Sequence, residues 1–183
     1  MDNAVLIELR NYVHQIHRGQ TRRGGEPYFD HLIEVEELCR QLLERNQFGL
    51  QGEDNRFDIL ATALLHDSIE DTATDYEDVL RVANRQVADW VGLLSEDKRK
   101  PKSIRRLEYL DVLGSACFVV QTIKLADIYS NVSGINFREE NNWIIEFLEQ
   151  SEQVLENLHS VKNLDLFAQS QEAITGVKSQ LMT

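Results

Sequence analysis

The sequence predicts an all-α fold, on three observations. Apolar residues recur at three- and four-residue steps along most of the 183-residue chain. Only two prolines occur, Pro27 and Pro101, and both lie in polar stretches between periodic segments. No Gly-rich phosphate loop, internal repeat or linker divides the chain, so residues 1–183 are expected to form one domain.

Residues 3–20 carry Val5, Leu6, Leu9, Val13 and Ile16 on helical spacing, which predicts the first helix. The stretch TRRGGEPY is a glycine-rich loop closed by proline. Asp30 is placed to cap the next helix, with Leu32, Val35, Leu38, Leu42 and Leu43 facing inward. QFGLQGEDNR at 47–56 reads as a second loop. Residues 56–69 predict a buried helix through Ile59, Leu60, Ala63, Leu64 and Leu65. Thr74 followed by Glu77 is a capping-box signature for a short helix over 76–83. Asn84 is placed to cap another, carrying Val87, Trp90, Val91 and Leu94. Lys98–Lys102 is a basic turn, followed by helices over 103–113 and 116–132. The run CFVVQTI has strand propensity, but the continuation IKLADIYSN places it in a helix. The C-terminal part predicts amphipathic helices through Trp143, Ile144, Phe147, Leu148, Val154 and Leu158, then Leu166, Ile174, Val177 and Leu181. Their apolar faces suit either the domain itself or a second subunit, so a homo-oligomer stays open.

The formal net charge of -12 argues against general binding to nucleic acid or to an anionic membrane. A small phosphorylated ligand is compatible with it, because positive charge is concentrated locally. Arg18, Arg22 and Arg23 form one cluster; Lys98, Arg99, Lys100, Lys102, Arg105 and Arg106 form another. Each reads as a solvated face or as a phosphate-binding one. No apolar run approaches a membrane span, and the start of the chain has no signal-peptide pattern, so a cytoplasmic location is expected. Cys39 and Cys117 lie singly in apolar helical contexts and are expected to be reduced, buried thiols.

The chemistry-bearing residues are His31, the pair His66-Asp67 within ALLHDSIEDT, and Asp127 within IKLADIYSN. A carboxylate inside an apolar run costs several kcal/mol, roughly, unless a cation or hydrogen bonds compensate it. Two imidazoles and two carboxylates on separate apolar stretches can meet around one divalent ion. The donor set suits Mn²⁺, Fe²⁺, Mg²⁺ or Zn²⁺, and the site requires at least three helices to converge. If the helix continues past His66-Asp67, Glu70 and Asp71 stack one turn beyond. There they either solvate a helix end or orient and deprotonate a water. His14, His17 and His159 show no revealing spacing and are assigned to surface or core, while Trp90 and Trp143 are assigned to the core rather than to substrate platforms.

The segments HRGQTRRGGEPYFDH, ALLHDSIEDT, LLSEDKRKPKSIRRLEYL and IKLADIYSN resemble, in order, the HD phosphohydrolase superfamily. More narrowly, the chain is similar to the hydrolase domain of RelA/SpoT proteins and to stand-alone small alarmone hydrolases. The resemblance continues into NNWIIEFLEQSEQVLENL and spans nearly the whole chain. It implies an HD-type helical bundle and a Mn²⁺-dependent 3′-pyrophosphohydrolase of ppGpp and pppGpp. It assigns the metal to His31, His66, Asp67 and Asp127, and water activation to Glu70 and Asp71. It sets Arg22 against the guanine, with Arg23 a basic neighbour. It puts Tyr28, Asn131 and Lys124 near the nucleotide and gives Lys98 a phosphate role. No synthetase domain accompanies this one, so alarmone synthesis is not expected. Three departures are present: Ile128 where a basic residue is common, Gly24-Gly25 in place of Ser-Gly, and the order of DIYSN. They motivate a second reading, a phosphatase of another nucleotide or of a phosphorylated dinucleotide cofactor. A third is a non-catalytic alarmone binder.

Overall fold

The computed structural model describes residues 2–48, 56–137 and 141–182. The helices in chain order are α1 (Asp2–Ile16), α2 (Tyr28–Glu44), α3 (Arg56–Leu65), α4 (Ser68–Asp71), α5 (Tyr76–Val82), α6 (Arg85–Leu94), α7 (Lys102–Ser115), α8 (Phe118–Ser133), α9 (Asn141–Asn157) and α10 (Asp165–Leu181). A 3-10 turn, His159–Val161, precedes α10. Among the described residues the only extended pairing is an isolated bridge between Thr21 and Pro27. The all-α expectation therefore holds.

The two most apolar helices form the centre. In α3 every residue from Ile59 to Leu65 is buried. In α8 burial runs almost unbroken from Val119 to Ile128, so CFVVQTI is helix despite its strand propensity. A helix that is apolar all round belongs inside. α2 packs on both α3 and α8, α1 and α6 pack on α3, and α10 packs on α8 and α9. The C-terminal helix thus sets its apolar face against its own chain. α1 is further tied to α2 by Arg10, which donates from Nε to the buried Glu36 at 2.9 Å.

Several boundaries differ from expectation. α1 ends at Ile16 rather than near residue 20, and the chain turns through Gly19 at φ +82°. α2 starts at Tyr28 behind Pro27, so Asp30 lies in its first turn and does not cap it. Proline with its fixed φ is suited to that entry. The capping box is Asp75 with Asp78, one residue beyond the expected Thr74 and Glu77. Asn84 caps α6 as expected, its side chain accepting from the Val87 N–H. Cys39 is buried, but Cys117 is exposed, because it precedes α8 rather than lying on its inner face. Most of the loop expected at 47–56 lies outside the described residues.

The difference that matters most is at His66 and Asp67. The predicted single helix over 56–69 stops at Leu65, and α4 starts at Ser68. His66 Nδ1 takes the Ala63 carbonyl at 2.8 Å, and Ser68 Oγ donates to the Leu65 carbonyl at 2.6 Å. These side chains compete for carbonyls at the end of the helical ladder. Asp67 sits at φ -100°, ψ 0°, the sparsely populated region between helix and strand.

Candidate metal centre

Three elements bring four side chains together. α2 supplies His31, the α3–α4 junction supplies His66 and Asp67, and α8 supplies Asp127. One donor atom from each of the four lies within 4.8 Å of the others. His66 Nε2 is 3.0 Å from Asp67 Oδ2 and 3.5 Å from Asp127 Oδ1. His31 Nε2 is 3.2 Å from Asp127 Oδ1 and 3.7 Å from Asp67 Oδ2. The two imidazole rings meet edge to face, 5.3 Å between centroids.

The hydrogen bonds behind the rings fix which nitrogen faces the centre. A carbonyl only accepts, so His66 carries its proton on Nδ1, toward Ala63. His31 Nδ1 lies 2.8 Å from Ser130 Oγ, and that hydroxyl donates onward to Glu34 at 2.7 Å. Ser130 therefore accepts from His31 Nδ1–H. Both Nε2 lone pairs are left pointing at the carboxylates, and both atoms are buried without a hydrogen-bond partner. Buried polar atoms are rarely left this way. Two orphaned imidazole nitrogens beside two carboxylate oxygens fit a divalent cation, and the orientation of each ring by a bond at its far side is typical of metal-ligating histidines.

The electrostatics agree. Burial opposes charge on all four groups. On His66 that penalty is outweighed by Asp67 and Asp127, which hold the imidazole well above its usual pKa. His31 is raised too, burial being outweighed by its contacts with Asp127 and Asp67. On Asp67 burial is outweighed by His66, and on Asp127 by Lys124, so both carboxyls sit far below the usual range. The cluster favours positive charge between the carboxylates, which an ion or protonated imidazoles would supply.

Tyr28, Lys124 and Asn131 act on the carboxylates directly. Tyr28 OH donates to Asp67 Oδ2 at 2.5 Å and reaches Asp71 Oδ2 at 3.3 Å. Lys124 Nζ donates to Asp127 Oδ2 at 2.8 Å, and Asn131 Nδ2 donates to Asp127 Oδ1 at 2.6 Å. Removing the Tyr28 hydroxyl (Tyr28→Phe) is expected to weaken divalent-metal affinity by about 10–100-fold, read by metal titration, with the helical spectrum unchanged.

Glu70 and Asp71, neighbours on α4 and so about 100° apart around its axis, face different surroundings. Glu70 is half-buried and lines the cavity beside Asp67 and Asp127. Burial raises its carboxyl above the usual pKa, against the Glu96 N–H that donates to Oε2 at 3.1 Å. Asp71 is exposed and takes Lys98 Nζ at 2.6 Å. Lys98 also donates to the Glu70 carbonyl at 3.0 Å. The backbone of Asp71 is tied to the loop after α1, its carbonyl accepting from Gln20 Nε2 at 2.7 Å. Gln20 in turn meets His17 Nδ1 at 2.8 Å. His17, assigned to surface or core, is buried and stacks on Tyr28. Burial lowers its pKa and keeps it neutral.

Two cavities adjoin at Tyr28, Asn131 and Phe147. One, of ≈ 170 Å³, holds Asp67, Glu70, Lys124 and Asp127, and Arg106 forms its far wall. The other, of ≈ 220 Å³, is lined by Arg22, Arg23, Trp143 and Phe147, and none of its described lining residues is acidic. In a chain this negative, that is a selective arrangement. A wider groove of ≈ 390 Å³ between α9 and α10 holds none of the candidate residues.

Arg22 is locked in place. Its Nη2 donates to the Ser130 carbonyl at 3.0 Å and to Asn131 Oδ1 at 3.3 Å, and Nη1 is 3.6 Å from Glu34. A Cβ on Gly134 would come within 2.6 Å of that guanidinium. Gly134→Ala is expected to leave the fold intact, since its φ of -87° suits alanine, but to push Arg22 off its seat. A displaced Arg22 guanidinium in the variant's structure, with little change in melting temperature, is the expected reading.

The HD domain family matches residues 28–132, more than half of the chain and all four converging residues. The chain belongs to the HD domain family. This HD domain is similar over most of its length to curated proteins called guanosine-3′,5′-bis(diphosphate) 3′-pyrophosphohydrolase MESH1. Identity to the Danio rerio protein is 29% over 161 residues, 85% of this chain and 84% of that one. Identity to the Homo sapiens protein is also 29%, covering 85% of each. A solved structure of a metazoan orthologue of SpoT, described as hydrolysing ppGpp and acting in starvation responses, aligns with a TM-score of 0.78 at 25% identity. It covers 95% of this chain and 96% of its own. The Listeria monocytogenes EGD-e protein lmo0812 aligns with a TM-score of 0.63 at 18% identity, over 85% and 98% of the two chains, and shares the fold.

Within this HD domain the sequence named the four converging residues but missed their support. Glu34, Ser130 and the Ala63 carbonyl orient the imidazoles, and nothing in their spacing announces it. Trp143, assigned to the core, is half-buried on the wall of the second cavity. Its one signal was an aromatic partner four residues on, Phe147, which an amphipathic helix also shows.

Proposed function

We propose that this HD domain hydrolyses the 3′-diphosphate of ppGpp and pppGpp with the help of a divalent metal, Mn²⁺ being the ion assigned. The observation that carries the reading is the pair of orphaned, buried Nε2 atoms facing Asp67 and Asp127, beside a cavity whose described lining has arginines and no acid. Similarity to proteins named for this reaction supports it.

His31, His66, Asp67 and Asp127 would hold the ion. Such an ion makes water acidic enough to yield hydroxide near neutral pH and polarises a phosphoryl oxygen. Glu70 orients the attacking water and takes its proton, a role suited to a carboxyl whose pKa burial has raised. Lys98 holds Asp71 and the α4 backbone in place and offers positive charge at the mouth. Arg22 presents a fixed planar guanidinium to the guanine, and Arg23 adds charge beside it. The oxygen of water attacks the phosphorus nearest the ribose, the bond from that phosphorus to O3′ breaks, and O3′ takes a proton. Pyrophosphate leaves, and ppGpp is left as GDP. Tyr28, Lys124 and Asn131 keep the two aspartates aligned throughout. The residues from 1 to 183 act as one domain in this reading, and no described helix is long and apolar enough to cross a membrane.

The test is product analysis with purified protein and Mn²⁺. Pyrophosphate and GDP from ppGpp are expected. No turnover in protein whose metal content is measured as full would reject the substrate. A second reading is favoured by Ile128, which lines the cavity at the centre as an apolar side chain. It is a phosphatase of another phosphorylated nucleotide or of a phosphorylated dinucleotide cofactor, and it would be marked by release of phosphate rather than pyrophosphate across a substrate panel.

A further inference from the structure

We infer that Trp143 is the platform on which the nucleobase stacks, and that Arg23 covers this platform until the base displaces it. The inference rests on the nucleotide reading above and adds a substrate-binding residue to it. Trp143 stacks nearly parallel on Phe147, with centroids 5.2 Å apart and planes 13° apart. The pair walls the cavity that Arg22 also lines. Arg23 lies over the indole, its guanidinium carbon 4.3 Å from the ring centroid. Among the described residues no carboxylate pairs with Arg23, and the indole is its contact.

This arrangement is poised for exchange. Arg23 is exposed, and an exposed cation–π contact is weak, whereas a base stacked on an aromatic ring gains more and tolerates any purine. Arg22 is held by Ser130 and Asn131, in room that Gly134 leaves for it, so it stays put while Arg23 moves. A base that takes the indole face releases a guanidinium beside the ligand's own phosphates. The displaced group then pairs with the anionic end of the molecule that displaced it.

The fluorescence of Trp143 tests this directly. Trp90, on α6, lines neither cavity, so Trp90→Phe leaves Trp143 as the single reporter. Titrating GDP and guanosine into that variant is expected to change Trp143 emission saturably, and pyrophosphate is expected to leave it unchanged. Trp143→Ala should raise the GDP dissociation constant and KM by roughly tenfold with kcat held, and Trp143→Phe should recover most of the loss. Arg23→Ala should weaken GDP binding but not guanosine binding, because the base no longer has an occupant to displace. Unchanged Trp143 emission at saturating GDP would overturn the inference. So would unchanged GDP affinity in Trp143→Ala, or equal losses for GDP and guanosine in Arg23→Ala. The outcomes separate from the reaction itself. Emission changes with GDP in a protein that does not hydrolyse ppGpp would uphold the platform and remove the substrate. Turnover of ppGpp with a silent Trp143 would do the reverse.

Discussion

Asp127→Asn is expected to abolish turnover and to cost about 3–5 kcal/mol of stability, because it removes a metal-facing charge and strands a buried lysine. Asp127 Oδ1 faces both imidazole Nε2 atoms, at 3.2 and 3.5 Å. Its other oxygen takes Lys124 Nζ at 2.8 Å, and the lysine side chain is only 19% exposed. Neutralising the aspartate therefore hurts twice, through two different groups. A double variant, Lys124→Met with Asp127→Asn, should recover much of the lost stability and none of the activity. Thermal melts and pyrophosphate release on the parent protein and these two variants make the check. If the double variant melts as low as the single one, the stranded lysine is not the source of the loss.

The second large effect comes from the ion. Metal at about a hundred times its dissociation constant adds about 2.7 kcal/mol to the folded state. For a domain of this size that is roughly 5–10 °C in melting temperature. A chelator should remove that increment and the activity together. The increment should also depend on pH, with a definite sign. In the ion-free chain His66 and His31 are raised above their usual pKa, so their contribution to stability is full below about pH 6.5. That contribution is lost as pH rises through the higher folded-state values. A metal must displace those same protons, so its affinity rises with pH. The chelated protein should therefore lose stability on the alkaline side while the gap between loaded and chelated protein widens. A gap that narrows with rising pH would contradict ligation by the two imidazoles. Scanning calorimetry across pH 6 to pH 9, with and without Mn²⁺, measures it.

Side-chain chemistry made the centre legible, and local competition hid its details. His66-Asp67 in an apolar run demanded a compensating cation, and so did Asp127, whatever the backbone did around them. The helices were legible wherever apolar periodicity was strong, as in α2, α6 and α9. The break between α3 and α4 was not, because it depends on His66 and Ser68 taking carbonyls, a choice that helical spacing does not encode. It changes the reading of Glu70 and Asp71, which a continuous helix would have stacked one turn beyond His66 and Asp67 and which face cavity and solvent respectively. The start of α2 was misplaced because Asp30 looks like a cap, while Pro27 already set the entry angle. Ser130 and Glu34 escaped notice since they act across 99 and 96 residues of sequence. Trp143 was taken for core because half-burial on a cavity wall and full burial leave the same stripe along α9.

The four donors are spread from position 31 to position 127, on elements that meet only after α8 has docked between α2 and α10. A chain still emerging from the ribosome therefore lacks the last donor until well past its midpoint. Capture of an ion would therefore follow the packing of α8 on α2 and α3 rather than nucleate the bundle. Metal in the surrounding solution should slow the disassembly of finished molecules and leave the early collapse of the chain untouched.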